Sequence, residues 1–306
     1  MLEVWVRQQP SRGVFVGLIS LDIEYLADDP PTRNQKVVAR DYAIASGGPA
    51  TNAAVAFAAC GNASTIAGSL GNHPVTQLIR ADLKACRVAI ADLTPDRTEP
   101  PPTSSIVVTE RTGDRAVISL NAIKQQASPK PMFPDGLDDS GWLDGVDIVL
   151  IDGHQMAVGA EIARLARDRG IPVVVDGGSW KPGFEHVLKY ATFAIASANF
   201  HPPNCRSTED VFAYLSSLHV PHIAVTRGAE AILYRSTSTD GAIAVPCVDA
   251  IDTLGAGDVF HGVFCHFIAY APFDVALERA ALVASEFCTS FGTREWLQTF
   301  RLSSVR

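Results

Sequence analysis

The chain has 306 residues, enough for one large domain or for a domain with a small appendage. It is 47% hydrophobic and 19% charged with a net charge of −8, which excludes a disordered chain and, with no Lys/Arg run present, argues against a nucleic-acid partner. No run approaches the roughly 18–20 apolar residues of a membrane span. The apolar run after the start comes too late and too near an acid for a secretory leader. The six cysteines (Cys60, Cys86, Cys205, Cys247, Cys265, Cys288) show no CxxC spacing and read as small buried hydrophobes in a reducing compartment. The expectation is a cytoplasmic protein with no membrane partner.

In chain order, GVFVGLIS (13–20) predicts a buried parallel strand, TNAAVAFAACG (51–61) an alanine-rich helix closed by glycine, and STIAGSLG (64–71) a strand and turn. A helix is predicted over 75–88, a strand over 146–154, a helix over 160–171 and a strand over 172–178. A strand at 191–197, a helix at 209–220 and a strand at 222–228 continue the pattern. Strands alternating with helices of this length indicate βαβ units and a mostly parallel, doubly wound α/β sheet. Two stretches break the rhythm. Residues 33–46 alternate like an exposed strand, and 103–122 read as two strands joined around RTGD, introduced by EPPPT. These predict a small second sheet, so the expected main body is 1–32, 47–98 and 123–306, with 33–46 and 99–122 forming the appendage.

No GxxxxGK[ST] loop, GxSxG elbow or GxGxxG after the first strand is present. His261 and Cys265, four apart on one helix, are the right types for a metal, but no third ligand is near in sequence, so packing is the favoured reading. His219 and His222 carry no further signal.

The chemistry gathers instead at DTLGAGD (252–258). A helix entrance exposes unpaired N–H groups and a partial positive charge, and small residues let an anion approach them. Asp258 in the first turn then reads either as a capping carboxylate or as a general base beside a transferring phosphoryl group. GGPATNAA (47–54) again sets small residues before a helix, with Gly47 and Gly48 baring backbone and Asn52 offering an amide to hydroxyls. Asp22 stands just past the first strand, where ligands of open α/β sheets gather. Asp and Asn side chains suit a polyol.

With these three pieces in this order, the sequence resembles the ribokinase-like, or pfkB, family of sugar and nucleoside kinases. DTLGAGDVFHG is close to that family's C-terminal signature, and GGPATNAA falls at its N-terminal one. The resemblance spans nearly the whole chain and implies a ribokinase-like fold with a β lid, and ATP and Mg2+ as cofactors. It makes Asp258 the base, Gly255, Ala256 and Gly257 the anion hole, and Asp22, Gly47, Gly48 and Asn52 the sugar site. VTRGAE (225–230) is similar to a nucleotide-side turn, which with Ser197, Asp252 and Thr253 assigns Thr226 and Gly228 to ATP. Part of the family also uses K+ beside Asp252. Arg115 on the lid hairpin reads as a substrate or phosphate contact, or equally as a solvated strand charge. Lid edges in this family pair between subunits, which implies a homodimer.

The chain departs from the family in places. At SANF (197–200), Ser197 stands for the Asn and Phe200 for the Glu that helps organise Mg2+. Val263 replaces a small residue, and Ala231 replaces the second glycine of T-x-G-x-x-G. Ketohexokinase-like and sulfofructose-kinase-like members are similar in these respects, as are IDGH (151–154) and VDGGSWKPG (175–183), so a ketose such as fructose is the implied acceptor. Trp180 reads as a sugar-stacking ring or as packing. A nucleoside kinase of the same fold and a sensor that binds without catalysis are the alternatives.

Overall fold

The computed structural model describes residues 9–120, 125–129, 141–237 and 239–302. The first elements are Arg12–Val16 (β1), Ser20–Ala27 (β2), Asp41–Gly47 (β3), Pro49–Ala59 (α1), Ala63–Gly68 (β4), Thr76–Ala85 (α2) and Val88–Asp92 (β5). A hairpin, Thr103–Thr109 (β6) and Arg115–Ser119 (β7), is followed by Ile148–Ile151 (β8), Met156–Asp168 (α3), Val173–Gly177 (β9) and Glu185–Leu188 (α4). The chain continues through Phe193–Ser197 (β10), Thr208–Ser217 (α5), His222–Arg227 (β11), Glu230–Arg235 (β12) and Asp240–Ile243 (β13). Helices Ala256–Phe267 (α6) and Phe273–Phe287 (α7) and a 3-10 turn, Glu295–Gln298, complete it.

The main sheet has nine strands in the order β13-β12-β11-β10-β9-β8-β1-β4-β5. It is parallel except for the β11-β12-β13 meander. Its central strands are apolar on both faces because helices cover both: every residue of β8 and β9 is buried. The alanines of α1 leave room for a second helix directly above it. At Gly262 of α6 an added Cβ would stand 2.2 Å from the Ala53 carbonyl oxygen, so the two helices approach backbone to backbone.

A second, four-stranded sheet has the order β3-β2-β6-β7, with β2 and β6 parallel and the other pairs antiparallel. The hairpin around RTGD is present, Val108 facing Arg115. The boundaries differ from expectation at β1–β2 and ahead of β3. The run 13–20 is not one strand: β1 ends at Val16 and β2 opens at Ser20 in the other sheet. The Gly17 amide donates to Ala67 O and the Leu18 amide to Asp152 Oδ2, which turns the chain out of the main sheet. Ser20–Ala27 therefore belongs with the lid rather than with the main body, Asp22 lies inside a lid strand rather than beyond a core strand, and residues 33–40 contain no strand. Of the expected main-body residues, 1–8, 123–124, 130–140, 238 and 303–306 lie outside the described residues.

Side chains alternate across the lid strands. Asp22, Glu24 and Ala45 are buried on the inner face. Tyr25, Tyr42, Ile44 and Ile118 are exposed on the outer one. The cysteines form no disulfide among the described residues; Cys60, Cys265 and Cys288 are buried, but Cys247 is exposed, against the expectation for it. No described helix is long and apolar enough to cross a membrane.

Candidate active site

The carboxyl ends of β8, β9, β10 and β11 carry Asp152, Asp176, Ser197 and Thr226, and the N-termini of α1 and α6 point into the same region. Gly48 precedes α1 at φ 104°, and a Cβ there would stand 2.3 Å from the Leu18 carbonyl oxygen, so no other residue fits without strain. Gly255 opens α6 at φ 81°. These two glycines let both helices begin abruptly, and Asn52 in the first turn of one meets Asp258 in the first turn of the other. The Asn52 Nδ2 donates to Asp258 Oδ2 at 2.9 Å.

Burial pushes the Asp258 carboxyl up to about 7; Asp176 adds to the rise, the Asn52 hydrogen bond and His261 oppose it, and Asp152 adds again. Asp152 is the contrasting acid. Burial would raise it too, but His154 and backbone donors outweigh that and hold it down to about 2. Its oxygens accept N–H groups from Leu18 (3.0 Å), Ala50 (3.1 Å) and His154 (2.8 Å), tying the β1–β2 turn to α1 and β8. Asp176, raised chiefly by burial, faces His261 Nδ1 at 3.7 Å.

The Asp22 carboxylate, raised chiefly by burial, accepts from Ser20 Oγ at 3.0 Å and lies so close to Gly47 that a Cβ there would be 1.8 Å from Oδ2. The structure thus brings Asp22 to Gly47, and Asn52 to Asp258. At Gly257 there is open space where a side chain would project. The Ala256 N–H leans on the Thr253 carbonyl at 3.3 Å, so the amides of Gly255 and Gly257 are the freer part of the anticipated anion hole. Arg115 is exposed, and its Nη1 donates to Thr253 Oγ1 at 2.8 Å, which sets the lid hairpin against the loop that leads into α6.

Ser197 and Thr226 are register partners. Ser197 Oγ donates to Gly178 O at 2.7 Å, and Gly228 turns the chain into β12 at φ 63° with open space beside it. Trp180 packs edge-on against Phe200 and Tyr214 and tilted on Phe184, the packing role of the two anticipated. Phe200 is buried in that aromatic cluster. His261 sets its ring nitrogens against Gly257 O (2.7 Å) and Ile195 O (3.3 Å), Cys265 is buried, and no described group of three His, Cys, Asp or Glu side chains could hold a metal.

Several contributors went unread in the sequence. Asp152 and Asp176 directly follow or close apolar strands, a position that does signal a site in such sheets. Glu24, Asp82 and Arg294 gave no local signal. Asp252 accepts N–H groups from Leu254 (2.9 Å) and Gly292 (3.0 Å). Glu24, fully buried on the lid's inner face, turns toward it; among the described residues neither Glu24 oxygen receives an N–H or O–H. Burial, with Asp252 and Asp22 nearby, pushes the Glu24 carboxyl up to about 8.

The model of the pfkB family carbohydrate kinases matches residues 12–299. A ribokinase of Bacillus subtilis is 24% identical over 286 residues, covering 93% of this chain and 95% of the relative. An ATP-dependent ribose-1-phosphate kinase of Halopiger xanaduensis is 26% identical, covering 88% of each. The structure of Arabidopsis thaliana ribokinase complexed with ribose and ATP superposes with a TM-score of 0.72 at 18% identity, covering 96% of this chain and all of that one, a likeness of fold.

The Asp152 hydrogen bonds make a testable demand on stability. Its folded-state carboxyl lies below the ordinary 3.8, so its stabilisation is present above that value and is lost as pH falls toward about 2. Asp152→Asn is expected to lower stability in urea at pH 7 by on the order of 2 kcal/mol, with the gap to wild type shrinking below pH 4. A gap that stays constant down to pH 3 contradicts this assignment.

Proposed function

The chain belongs to the pfkB family of carbohydrate kinases, phosphotransferases with an alcohol group as acceptor, and from that premise we propose that it moves the terminal phosphoryl group of ATP onto a hydroxyl of a small sugar, with Asp258 as the base. The observation that carries this reading is the Asp258 carboxylate in the first turn of α6, hydrogen-bonded to Asn52 and raised toward neutrality. A base with a proton affinity near ambient pH can take the proton of an attacking hydroxyl in the transition state.

In this reading Asp22 and Asn52 hold acceptor hydroxyls, and Gly47 and Gly48 let the sugar approach the backbone. The acceptor oxygen attacks the γ-phosphorus, its proton passes to Asp258, and the bond to the leaving ADP oxygen breaks. The amides of Gly255 and Gly257 and the α6 dipole stabilise the charge on the moving phosphoryl group. Ser197, Thr226, Gly228 and Thr253 flank the nucleotide. Arg115 keeps the lid seated on the Thr253 loop, and the closed lid excludes water that would otherwise compete as acceptor.

Mg2+ enters as part of the Mg·ATP substrate. Phe200, buried against Trp180 and Phe184, leaves no carboxylate at its position to organise the ion. For K+, the buried Glu24 and Asp252 carboxyls that face each other are oxygen donors that fit a cation, which would take the place of the proton they share and steady the loop entering α6.

The acceptor we propose is a pentose or a ketose. The relatives' own substrates, ribose and ribose 1-phosphate, and the ketose reading of IDGH and VDGGSWKPG support that range. A panel of ribose, ribose 1-phosphate, fructose and nucleosides, assayed for ADP release with Mg2+ and with or without K+, is expected to show turnover with a sugar. Turnover with nucleosides alone, or ligand binding by calorimetry with no ADP from any member, overturns the proposal in favour of a nucleoside kinase or a sensor.

On the accepted sugar, Asp258→Asn should retain binding and lose turnover by a factor of about 100 to 10,000, the usual worth of a general base. In the wild type the base form of Asp258 fills as pH rises, so kcat/KM should climb through about pH 7 and level off above it. Near-normal turnover in the variant contradicts the assignment. The exposed Tyr25, Tyr42, Ile44 and Ile118 on the outer lid face support a homodimer through the lid. Light scattering should give twice the chain mass, and Tyr42→Glu with Ile118→Glu should return it to one; a wild-type monomer at micromolar concentration contradicts this.

A further inference from the structure

Arg294 lies between α7 and the 3-10 turn, outside every motif described above, yet its side chain reaches the centre of the site. The Nε donates to both oxygens of Asp82 at 3.3 and 3.2 Å. Nη1 donates to Asn52 Oδ1 at 3.1 Å and Thr293 O at 3.0 Å. Nη2 donates to Ser46 O at 2.7 Å, Ser46 Oγ at 2.9 Å and Asp82 Oδ2 at 3.1 Å. A guanidinium has five N–H donors, and all five are engaged. An incoming substrate anion would have to displace one of these bonds, so the fork is turned inward.

The consequence falls on Asn52. An Asn side chain has one acceptor end and one donor end of nearly the same shape, and its partners decide which way it faces. Arginine can only donate, so its contact pins the Asn52 oxygen toward Arg294 and the NH2 toward Asp258. The reversed amide would set its oxygen against the Asp258 carboxylate and its NH2 against the guanidinium, two repulsive contacts at once. Arg294 is itself fixed by Asp82 of α2 and by Ser46 at the root of lid strand β3, and Asp82 also accepts from the Ser46 N–H at 2.9 Å.

We propose that Arg294 is a positioning residue that holds the Asn52 amide as a donor to Asp258 and ties that arrangement to the root of the lid. This rests on the reading of Asp258 as the base. Besides Asn52, the charged or titratable groups facing Asp258 are Asp176 from β9, His261 from its own helix and Asp152 beyond β8. None of these touches Arg294, whose other titratable neighbours are Asp22 and Glu24 on the lid and the Cys86 thiol at the end of α2. Losing the Asn52 donor therefore removes one of the influences that hold the Asp258 proton affinity down, and leaves the others in place.

The test is the pH profile of kcat/KM for the accepted sugar in wild type, Arg294→Gln, Arg294→Lys, Asp82→Asn and Asp258→Asn. A lysine can pair with Asp82 but cannot hold Ser46, Asp82 and Asn52 together. The acid limb of both Arg294 variants should move up by about one pH unit, a roughly tenfold loss on the acid side that shrinks above the limb. The KM for ATP should stay within about twofold, and Asp82→Asn should shift the limb the same way by less. If Arg294→Gln does not fold, Arg294→Lys and Asp82→Asn decide the matter. A lower melting temperature with an unmoved limb, or equal loss at every pH, overturns the proposal while an inactive Asp258→Asn leaves the base reading standing. If Asp258→Asn keeps its activity, the base reading fails and the role of Arg294 falls with it.

Discussion

The hydrogen bond from Asn52 to Asp258 joins the first turns of two helices, and the rest of the site depends on those turns meeting. They meet because α1 and α6 pack at backbone distance, which the alanines of α1 and the missing side chain of Gly262 permit. Each helix opens on a glycine at positive φ, so neither chain needs a gradual approach. Two helix N-termini thus aim their partial positive ends at one small volume. That field favours an anion there and offsets the crowding of acids at the strand ends.

The acids divide by environment. Asp152, Asp176 and Asp258 are all drawn from water, yet they do not titrate alike. Asp152 collects three backbone N–H donors and a histidine, and serves as a fixed anion that stitches the β1–β2 turn to α1. Asp258 has one side-chain donor and two acidic neighbours, and so stays ready to exchange a proton. Separating neighbouring carboxylates in this way is what the proposed role of Asp258 requires, a structural acid and a proton acceptor in one pocket. The lid adds Asp22 and Glu24 to the same charge balance, with Arg294 as the cation that reaches both.

Much of the fold was legible because its signals are local. The apolar runs of the central strands, the helical spacing between them and the RTGD turn all depend on residues a few positions apart. The glycine-rich helix entrances were legible for the same reason, since positive φ and close approach narrow the choice of residue. The break between β1 and β2 was not, because GVFVGLIS reads as one apolar run while its turn is enforced by Asp152, more than a hundred residues away. The β12–β13 meander also went unread; apart from Ile232 its residues are exposed or only partly buried, and β12 shows no clean alternation. Arg294 and Asp82 were invisible for a similar reason: a single surface-type charge acquires meaning only when tertiary packing brings its partners from α1, α2 and the lid.

The Asp258 carboxyl is held poised by its surroundings, a property that can be observed without turnover. Carbon-13 labelling of the aspartate side chains, with Asp258→Asn used to assign the resonance, gives the titration of Asp258 directly by NMR. The account predicts a midpoint near 7 for this carboxyl, far above the ordinary 3.8. A midpoint at or below the ordinary value would contradict it.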